Sequence, residues 1–367
     1  MRRVCIVFCS ILLIILGLLM VFDTSWGESL NKAGEVNVYR AFFKQSICAS
    51  IGMFLAFFCY RLGYIRLLAA SSYLFWIITA LLALVFIFGH EVNGAKRWIY
   101  LFGFSLQPGE WLKLILPMSC IEFLRKRENQ LTFRQFLKQA CIFSIPIIFI
   151  FFQPDNGTVF VLILIIGAPL FLSNVPLRYW LLPIMVAMFF GSIVASKMPH
   201  VRDRIWVYLH PEVDLKGKGH QPFQAKIAVG SGKVFGKGFG KSLQKMEYLP
   251  EAQNDYIIAI LAEEVGFLGM LILISVYLSL IAGGFSIARA ARDRIGFRIA
   301  SILTFSFAMQ VFLNLGIVCG IIPPTGMTLP LFSQGGTSMM VQIISLGIIL
   351  SVDKSSEKAF KKVKNFV

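Results

Sequence analysis

Long apolar runs recur along the whole chain and are separated by shorter polar segments. An apolar run of about 18–20 residues with few charges is typical of a helix that crosses a membrane. The pattern therefore predicts an all-α integral membrane protein with about ten transmembrane helices. The predicted spans are residues 4–22, 41–60, 67–88, 111–124, 140–152, 159–172, 177–195, 257–283, 299–320 and 338–352.

One polar interval, about residues 196–256 between predicted spans seven and eight, is much longer than the others. Connections longer than about 15 residues are usually functional. The first apolar run follows Met1-Arg2-Arg3, as in a signal peptide, but no small-residue cleavage site comes after it, so we interpret it as a retained first span. Residues 1–367 are therefore predicted to form a single polytopic membrane domain that includes the 196–256 loop.

The composition excludes several other classes of protein. Hydrophobic residues make up 57% of the chain and charged residues 15%, whereas soluble domains have about 25% charged residues. The net charge of +16 could indicate a nucleic-acid-binding protein, but the basic residues lie between apolar runs, where membrane topology explains them. No nucleic-acid partner is predicted. The seven Cys lie in apolar stretches without a C-x-x-C pair, and no metal site is predicted from them.

The distribution of charge predicts the orientation in the membrane. If the N-terminus lies inside, the inside segments carry nineteen Lys and Arg residues and the short outside loops carry six. This asymmetry follows the positive-inside rule, which long loops obey only weakly. Both termini are therefore predicted to be cytoplasmic, and the 196–256 loop is predicted to be extracytoplasmic.

The first polar cluster on the predicted outer side contains Arg97, Trp98, Glu110 and Lys113. Charged residues at a membrane face are informative because burying charge there is costly. Glu110 and Lys113 are three residues apart at a predicted helix start, so they share one face of that helix. The cluster is typical either of a Lys that snorkels beside interfacial Trp residues or of a cationic phosphate pocket in which Arg97 and Lys113 are the donors.

Two further clusters predict turns in the backbone. Residues 153–158 include Asp155 and read as a turn followed by a helix cap. Residues 323–338 contain several Pro residues and a Gly pair before the last span. Taken alone, this second pattern indicates only that the backbone turns sharply or approaches a ligand closely.

Gly and Lys recur within the long loop over residues 230–242. The segment looks like a nucleotide-binding loop, but Phe235 stands where the Walker pattern that ends in Gly240-Lys241-Ser242 requires Gly. We interpret the segment as a flexible basic loop that could follow a polyanionic lipid headgroup.

Asp255 stands where the polar loop gives way to an apolar helix, and Glu263 and Glu264 follow just inside that helix. A carboxylate at a helix start is often only a cap. The alternative is a partly desolvated general base that abstracts a proton from a hydroxyl group. The residue pattern leaves both interpretations open.

Taken together and in this order, the clusters resemble the SEDS family (shape, elongation, division and sporulation) of cell-wall glycosyltransferases. The family pattern N-G-x-x-R-W, Q-P-S-E-x-x-K, Q-P-D-x-G-T, G-x-x-x-G-x-G, L-P-E-x-x-T-D-F-I, E-E-x-G, P-x-T-G-x-x-L-P and S-Y-G-G-S-S matches from about residue 93 to 338. The charged positions are kept. The departures include Gly109 for Ser, Asn254 for Thr, Tyr256 for Phe and Gln334 for Tyr.

The resemblance implies a reaction on lipid II, a disaccharide-pentapeptide carried on undecaprenyl pyrophosphate. Such enzymes join lipid II units into glycan and release the lipid pyrophosphate, as one sugar hydroxyl attacks an anomeric carbon with inversion. The resemblance implies Asp255 as the catalytic base. It also implies Arg97 and Lys113 as substrate-binding residues that contact the pyrophosphate.

The same resemblance implies supporting roles for other residues. Lys245 is a weaker candidate for the pyrophosphate, Glu110 is expected to orient Lys113, and Asp155 is expected to order the outer pocket. A divalent cation (Mg or Mn) could assist the leaving group, although no ligand set is visible in the sequence. The implied partners are a class B penicillin-binding transpeptidase and other division proteins, in the cytoplasmic (inner) membrane.

Within the family, the division branch (FtsW) looks closer than the elongation branch (RodA). The reasons are Arg202-x-Arg204-Ile205 before Pro211-Glu212, and the run from Gln244-Lys245 to Leu249-Pro250-Glu251. Two alternative functions remain. A lipid II flippase or transporter would need ionisable residues near mid-membrane, whereas the charged motif residues cluster at the predicted outer face. The other alternative is a non-catalytic scaffold for the division machinery.

Overall fold

The computed structural model describes residues 2–31, 38–92, 95–101, 104–127, 131–209, 219–247 and 253–364. Within these ranges the chain forms thirteen helices and three short strands. In chain order they are α1 (Arg2–Asn31), α2 (Val38–Leu62), α3 (Tyr64–Phe88), β1 (His90–Val92), β2 (Ala95–Leu101), β3 (Phe104–Leu106), α4 (Pro108–Arg125), α5 (Phe133–Phe152), α6 (Asn156–Leu172), α7 (Leu177–Ser196), α8 (Pro199–Leu209), α9 (His220–Ser231), α10 (Gln244–Glu247), α11 (Ile257–Arg289), α12 (Arg294–Val318) and α13 (Gly336–Lys364).

The helices correspond to the predicted membrane spans. Each of the ten predicted segments lies in its own helix, apart from residues 319–320, which follow the end of α12. Among the described residues, eight helices are long and apolar enough to cross a membrane, namely α1, α2, α3, α5, α7, α11, α12 and α13. The helix α6 is a shorter apolar helix, and α4 carries charged residues at both ends. The prediction of a helical, multi-pass membrane protein is confirmed.

The helices α12 and α13 are the most buried of these spans. A large apolar core joins them to α1 and α11, and a second core joins α3, α4, α5 and α6. The helix α7 lies at the periphery, because all twenty of its residues are described and none of them is buried. Exposed apolar side chains cover the outside of the bundle, as a protein surrounded by lipid requires.

A small antiparallel sheet, which the sequence analysis did not predict, lies between α3 and α4. Its strands pair in the order β1-β2-β3. The hydroxyl of Thr337, in the first turn of α13, donates to the backbone carbonyl of Ser105 at 3.0 Å and accepts the N–H of Gln107 at 3.2 Å. These bonds fix the sheet and the start of α4 against α13.

The interval of the predicted 196–256 loop begins where α7 ends, at Ser196, and is followed by α11, which begins at Ile257. Its described part is largely folded, because α8, α9 and α10 lie within it. Two pairs used to favour the division branch, Pro211-Glu212 and Pro250-Glu251, lie outside the described residues.

The helix α11 is broken at Gly266, where φ of 66° and ψ of −167° are not helical. Close to this break, the carbonyl of Glu264 accepts the N–H of Gly238 at 2.9 Å. Glycine permits this approach, because a Cβ on Gly236 would lie only 2.1 Å from the Glu264 carbonyl oxygen. Residues 232–243, named here the clamp segment, are therefore packed against α11, and the prediction of a flexible loop is wrong for them.

The two ends of the bundle contain different polar groups. At one end, Arg3 of α1 forms an ion pair with Asp353 of α13, and Tyr64 donates to Asp293 at 2.6 Å. The helices α4, α6, α11 and α13 all begin at the opposite end. This opposite end, named here the pocket end, contains the candidate functional site.

Candidate functional site

An open polar pocket lies at the pocket end, where α4, α6 and α13 begin. Its empty volume, which includes open space at its mouth, is about 470 Å³. Glycine-rich backbone from residues 326–338 forms part of its lining, together with polar side chains that include Gln107, Glu110, Asp155 and Thr158. Two of the predicted site residues, Glu110 and Asp155, thus stand in its wall.

Glu110 and Lys113 form a buried ion pair in the first turns of α4. Lys113 Nζ lies 2.7 Å from Glu110 Oε1 and donates to Gln310 Oε1 on α12 at 2.9 Å. The prediction that the two residues share a helix face is confirmed, but Lys113 does not snorkel, since it is only 4% exposed. Glu110 Oε2 has no hydrogen-bond partner among the described residues. A buried acceptor without a partner commonly indicates a ligand, a water or an ion.

Asp155 caps α6 and meets Arg97 of β2. Its carboxylate accepts the N–H of Thr158 at 3.3 Å and the Thr158 hydroxyl at 2.9 Å, so the predicted helix cap is confirmed. Gln107 Nε2 also donates to Asp155, at 3.3 Å. Arg97 Nη1 lies 3.8 Å from Asp155 Oδ1, and Arg97 donates to the backbone carbonyls of residues 153 and 154. Arg97 therefore stands beside the wall carboxylate and ties the sheet to the start of α6.

Asp255 is half-buried and lies two residues before α11 begins at Ile257. Tyr256 occupies the cap position of that helix. A side chain from α12 fixes the backbone here, because Asn314 Nδ2 donates to the carbonyls of Asp255 and Met327 at 3.1 and 2.7 Å. Asn314 is fully buried. The segment with Asp255 is thereby joined to the segment that lines the pocket.

Asp255 adjoins the pocket through Gly326, which is a lining residue. Gly326 has φ of 76°, a conformation that favours glycine. A Cβ on Gly326 would lie 3.6 Å from Asp255 Oδ2, so a larger side chain would cover the carboxylate. Two of the six predicted site residues, Glu110 and Asp155, thus line the pocket. Lys113 and Arg97 pair with these two carboxylates, and Asp255 adjoins the lining through Gly326.

Lys245 is placed elsewhere. Its side chain is 2% exposed, and its Nζ lies 2.6 Å from Asp23 Oδ2 on α1 and 2.8 Å from Glu264 Oε1 on α11. The neighbouring Glu263 pairs with Lys237 of the clamp segment at 2.6 Å. These ion pairs give Lys245 a role in joining α1 to α11. Its contribution to pyrophosphate binding stays a prediction.

Sequence reasoning missed several polar residues inside the spans. Gln310 and Asn314 are four residues apart on α12, so they share one face, and they hold Lys113 and the Asp255 backbone. Gln45 of α2 donates to the Ser333 carbonyl at 3.0 Å and supports the segment before α13. The available signal was the presence of amide side chains in otherwise apolar helices, where polar groups are costly and usually functional.

The described residues contain no cluster of three or more His, Cys, Asp or Glu side chains arranged to hold a metal ion. The carboxylates of the pocket wall are Glu110 and Asp155. They are accompanied by Asp255, which adjoins Gly326. The site thus combines three carboxylates and two cations beside an open cavity, an arrangement suited to proton transfer and to binding a charged group.

The fold and the pocket together define the class of this protein. It is a polytopic membrane protein built as a helical bundle, with an acidic, enzyme-like site at one end. The chain belongs to the cell cycle protein family of FtsW, RodA and SpoVE, whose family model matches residues 3–358. The resemblance to the SEDS family is therefore confirmed over nearly the whole chain.

Relatives of known name are similar over almost their full length. The chain is 32% identical over 363 residues to the probable peptidoglycan glycosyltransferase FtsW of Thiomicrospira cyclica, covering 95% of this chain and 90% of that protein. It is 34% identical over 357 residues to stage V sporulation protein E of Bacillus subtilis, covering 96% of each. The name of the first relative supports the predicted closeness to the division branch.

A solved structure shares the fold. It is described as "Structural coordination of polymerization and crosslinking by a peptidoglycan synthase complex", and one of its chains superposes with a TM-score of 0.75 at 26% identity. The match covers 96% of this chain and 97% of that chain.

Proposed function

We propose that this protein is a peptidoglycan glycosyltransferase that polymerises lipid II at the outer face of the cytoplasmic membrane during cell division. The observation that carries the proposal is the position of Asp255, whose carboxylate adjoins, through Gly326, the pocket lined by Glu110 and Asp155. The relative named as a probable peptidoglycan glycosyltransferase and the fold shared with a peptidoglycan synthase complex support this substrate class.

Asp255 acts as the general base in the proposed reaction. It accepts the proton of a sugar hydroxyl on one lipid II, and the hydroxyl oxygen attacks the anomeric carbon of a second lipid II. The bond from that carbon to the pyrophosphate oxygen breaks, and its electron pair leaves with the lipid pyrophosphate. A positioned base contributes typically about 10²–10⁴-fold to the rate of such a step. The half-buried carboxylate and its pinned backbone support this role.

Arg97 and Lys113 supply positive charge for the pyrophosphate. Each cation has a carboxylate partner, Asp155 or Glu110, so the ion pairs keep the donors in place at the pocket until the substrate enters. Mg²⁺ is usually held by one or two carboxylates together with substrate phosphates, and Glu110 and Asp155 fit that donor set. The unpartnered Glu110 Oε2 supports the fit. When bound, such a cation would neutralise charge on the leaving group.

The proposed orientation places the pocket outside the cell. The pocket end is opposite the end where Arg3 pairs with Asp353, and the basic segments predicted to be inside lie at that Arg3 end. The positive-inside rule then assigns the Arg3 end to the cytoplasm. Both termini would be cytoplasmic, and residues 1–367 would form one domain in the inner membrane.

Synthesis is favoured over transport by the distribution of charge along α4. Between Lys113 and Glu122, a stretch that is described throughout, α4 has no Asp, Glu, Lys or Arg. A flippase needs a polar path across the bilayer, and its ionisable residues would be expected near mid-membrane. In α4, such residues instead lie at the two ends.

A class B penicillin-binding transpeptidase is the proposed partner, and other division proteins are expected to join it. The similarity to a chain of a structure that concerns polymerisation and crosslinking together supports a crosslinking partner. The glycan made here would then be the substrate for that partner.

The test is a gel assay of glycan made from labelled lipid II by the purified full-length protein, with and without a class B transpeptidase. Asp255→Asn should reduce polymer at least about 100-fold, as expected for the loss of a general base, with unchanged gel filtration and partner binding. Asp353→Asn, at the opposite end, is the matched control and should retain activity. Normal polymer from Asp255→Asn would contradict the assigned role. Lipid II movement across vesicles without polymer would favour a flippase.

A further inference from the structure

The clamp segment presents large apolar side chains to the surroundings. Phe235 is 79% exposed, Phe239 is 60% exposed and Leu243 is 61% exposed. These three side chains lie within nine residues of the chain, and exposed apolar residues that lie together commonly mark an interaction site. The proposed glycosyltransferase chemistry does not use these residues.

Backbone hydrogen bonds hold this surface rigidly. On one side, the N–H groups of Lys237 and Gly238 donate to carbonyls of α11 at 2.9 Å each. On the other side, the N–H groups of Phe267 and Leu268 donate to carbonyls of residues 233–234 at 2.9 and 3.1 Å. The aromatic side chains are therefore displayed by a fixed backbone, and exposing them is a property of the fold.

The clamp segment borders the place where α11 becomes exposed. Residues 257–264 of α11 are all buried, whereas Phe267, Leu268 and Ile272 are exposed. In a spanning helix, an exposed apolar face lies against lipid. Because Phe267 and Leu268 bond directly to the clamp segment, that segment lies where the lipid-facing part of α11 begins.

The charge of the clamp segment matches an anionic surface. Lys233, Lys237 and Lys241 alternate with Phe235 and Phe239, and all three Lys residues are exposed. The sequence from residue 215 to 246 contains no Asp or Glu. Lys237 is partly neutralised by Glu263 at 2.6 Å, which leaves Lys233 and Lys241 as the main contributors to the local positive charge.

We propose that the clamp segment is a membrane-interface surface that binds anionic phospholipid headgroups. Phe235 and Phe239 insert at the boundary between headgroups and acyl chains, where aromatic side chains accumulate. Lys233 and Lys241 contact the lipid phosphates, since basic residues beside an apolar surface are attracted to anionic lipids. By binding the headgroups, the clamp segment would fix the depth in the bilayer at which α11 breaks at Gly266. It would thereby also fix the depth of the pocket.

A partner protein could also cover exposed aromatic residues, but two observations favour lipid. The surface continues directly into the lipid-facing stretch of α11 at Phe267. Its charge is of one sign, which suits a layer of many identical anionic groups. The inference requires only that the chain spans a membrane, and it stands whether or not the protein polymerises glycan.

The first test measures lipid preference in nanodiscs that contain phosphatidylglycerol and phosphatidylcholine. Full-length protein is released in the mass spectrometer, and the ratio of the two lipids that stay bound is recorded. The wild type should retain phosphatidylglycerol preferentially, and each change of Lys233→Gln and Lys241→Gln should lower that ratio about fivefold. Lys96→Gln, an exposed Lys at the same end, is the matched control and should leave the ratio unchanged. No preference in the wild type, or an equal loss with Lys96→Gln, would overturn the proposal.

The second test distinguishes lipid from protein at the same surface. Phe239 is replaced by the photoreactive p-benzoylphenylalanine, and the full-length protein is irradiated in native membranes. Adducts with the mass of a phospholipid support the proposal. Adducts only with another protein would overturn it in favour of a protein-docking surface. The absence of any lipid adduct in pure-lipid nanodiscs would also overturn it.

Discussion

Lys113 Nζ lies 2.7 Å from Glu110 Oε1, and neither side chain is more than one tenth exposed. Gln310 of α12 accepts a second hydrogen bond from the same ammonium group. The pair thus connects the pocket wall to one of the most buried helices of the bundle. Because the pair is buried, removing either residue alone is expected to destabilise the protein more than breaking an exposed ion pair would.

Removing one member of this pair should destabilise the protein more than removing both. Glu110→Gln or Lys113→Met leaves a buried charge unpaired and should cost about 3–5 kcal/mol. The double variant leaves no such charge, so it should recover part of the stability, with a coupling energy of about 0.5–3 kcal/mol, yet make no glycan. Thermal unfolding in detergent measures the stability, and additive losses would show that the two residues are not coupled.

Asn314 should act on the reaction by positioning Asp255. Asn314→Leu removes the donor that holds the carbonyls of Asp255 and Met327, and leaving a buried carbonyl without a donor costs about 1–3 kcal/mol. We expect the turnover rate on lipid II to fall more than the folded fraction falls. Ser301→Ala, on the same helix near its start, is the control. Equal losses of activity and folded protein in Asn314→Leu would indicate a purely structural role.

Lys245 allows its observed ion pairs to be separated from its predicted contact with pyrophosphate. Lys245→Met leaves Asp23 and Glu264 facing each other without a cation and should cost about 3–5 kcal/mol. Adding Asp23→Asn and Glu264→Gln should restore much of that stability. If the residue only joins α1 to α11, the restored variant should have the wild-type KM for lipid II. A raised KM would support the predicted pyrophosphate contact.

Replacing each of two glycines of the long loop by Ala should change the stability of the protein in opposite directions. Gly236→Ala places a Cβ 2.1 Å from the Glu264 carbonyl oxygen at φ of 77°, and the backbone strain alone costs roughly 1–3 kcal/mol. Gly230→Ala meets nothing within 4 Å in α9 and should stabilise that helix by about 0.5–1 kcal/mol. Hydrogen exchange at Gly238 and Phe267 would report whether Gly236→Ala releases the clamp segment from α11. Equal stability of the two variants would contradict the tight packing described above.

The sequence predicted those features that depend on local spacing. Apolar length located the spans, the three-residue separation predicted the Glu110–Lys113 face, and the change from polar to apolar placed Asp255 just before a helix. The features that depend on distant partners were not predictable in this way. Lys245 and Asp23 are 222 residues apart, and nothing near either residue indicates the other.

The clamp segment shows a different limit of sequence reasoning. Glycine is used both where a loop is mobile and where two backbones approach closely, so its recurrence in residues 230–242 fitted a flexible loop equally well. Only the break at Gly266, beside which the carbonyls of Glu263 and Glu264 accept N–H groups of the clamp segment, distinguishes the two. The break lies in a segment that is apolar apart from Glu263 and Glu264 and was predicted as one uninterrupted span.

The ion pair between Arg3 and Asp353 has a practical consequence for engineering. Because the first and last spans meet at one end, fluorescent tags fused at the two chain ends would report the same compartment. The halves of a split reporter, one on each end, should assemble without any second protein. From Gly336 to Asp353, α13 rises roughly 25 Å, so such fusions would remain well clear of the cavity.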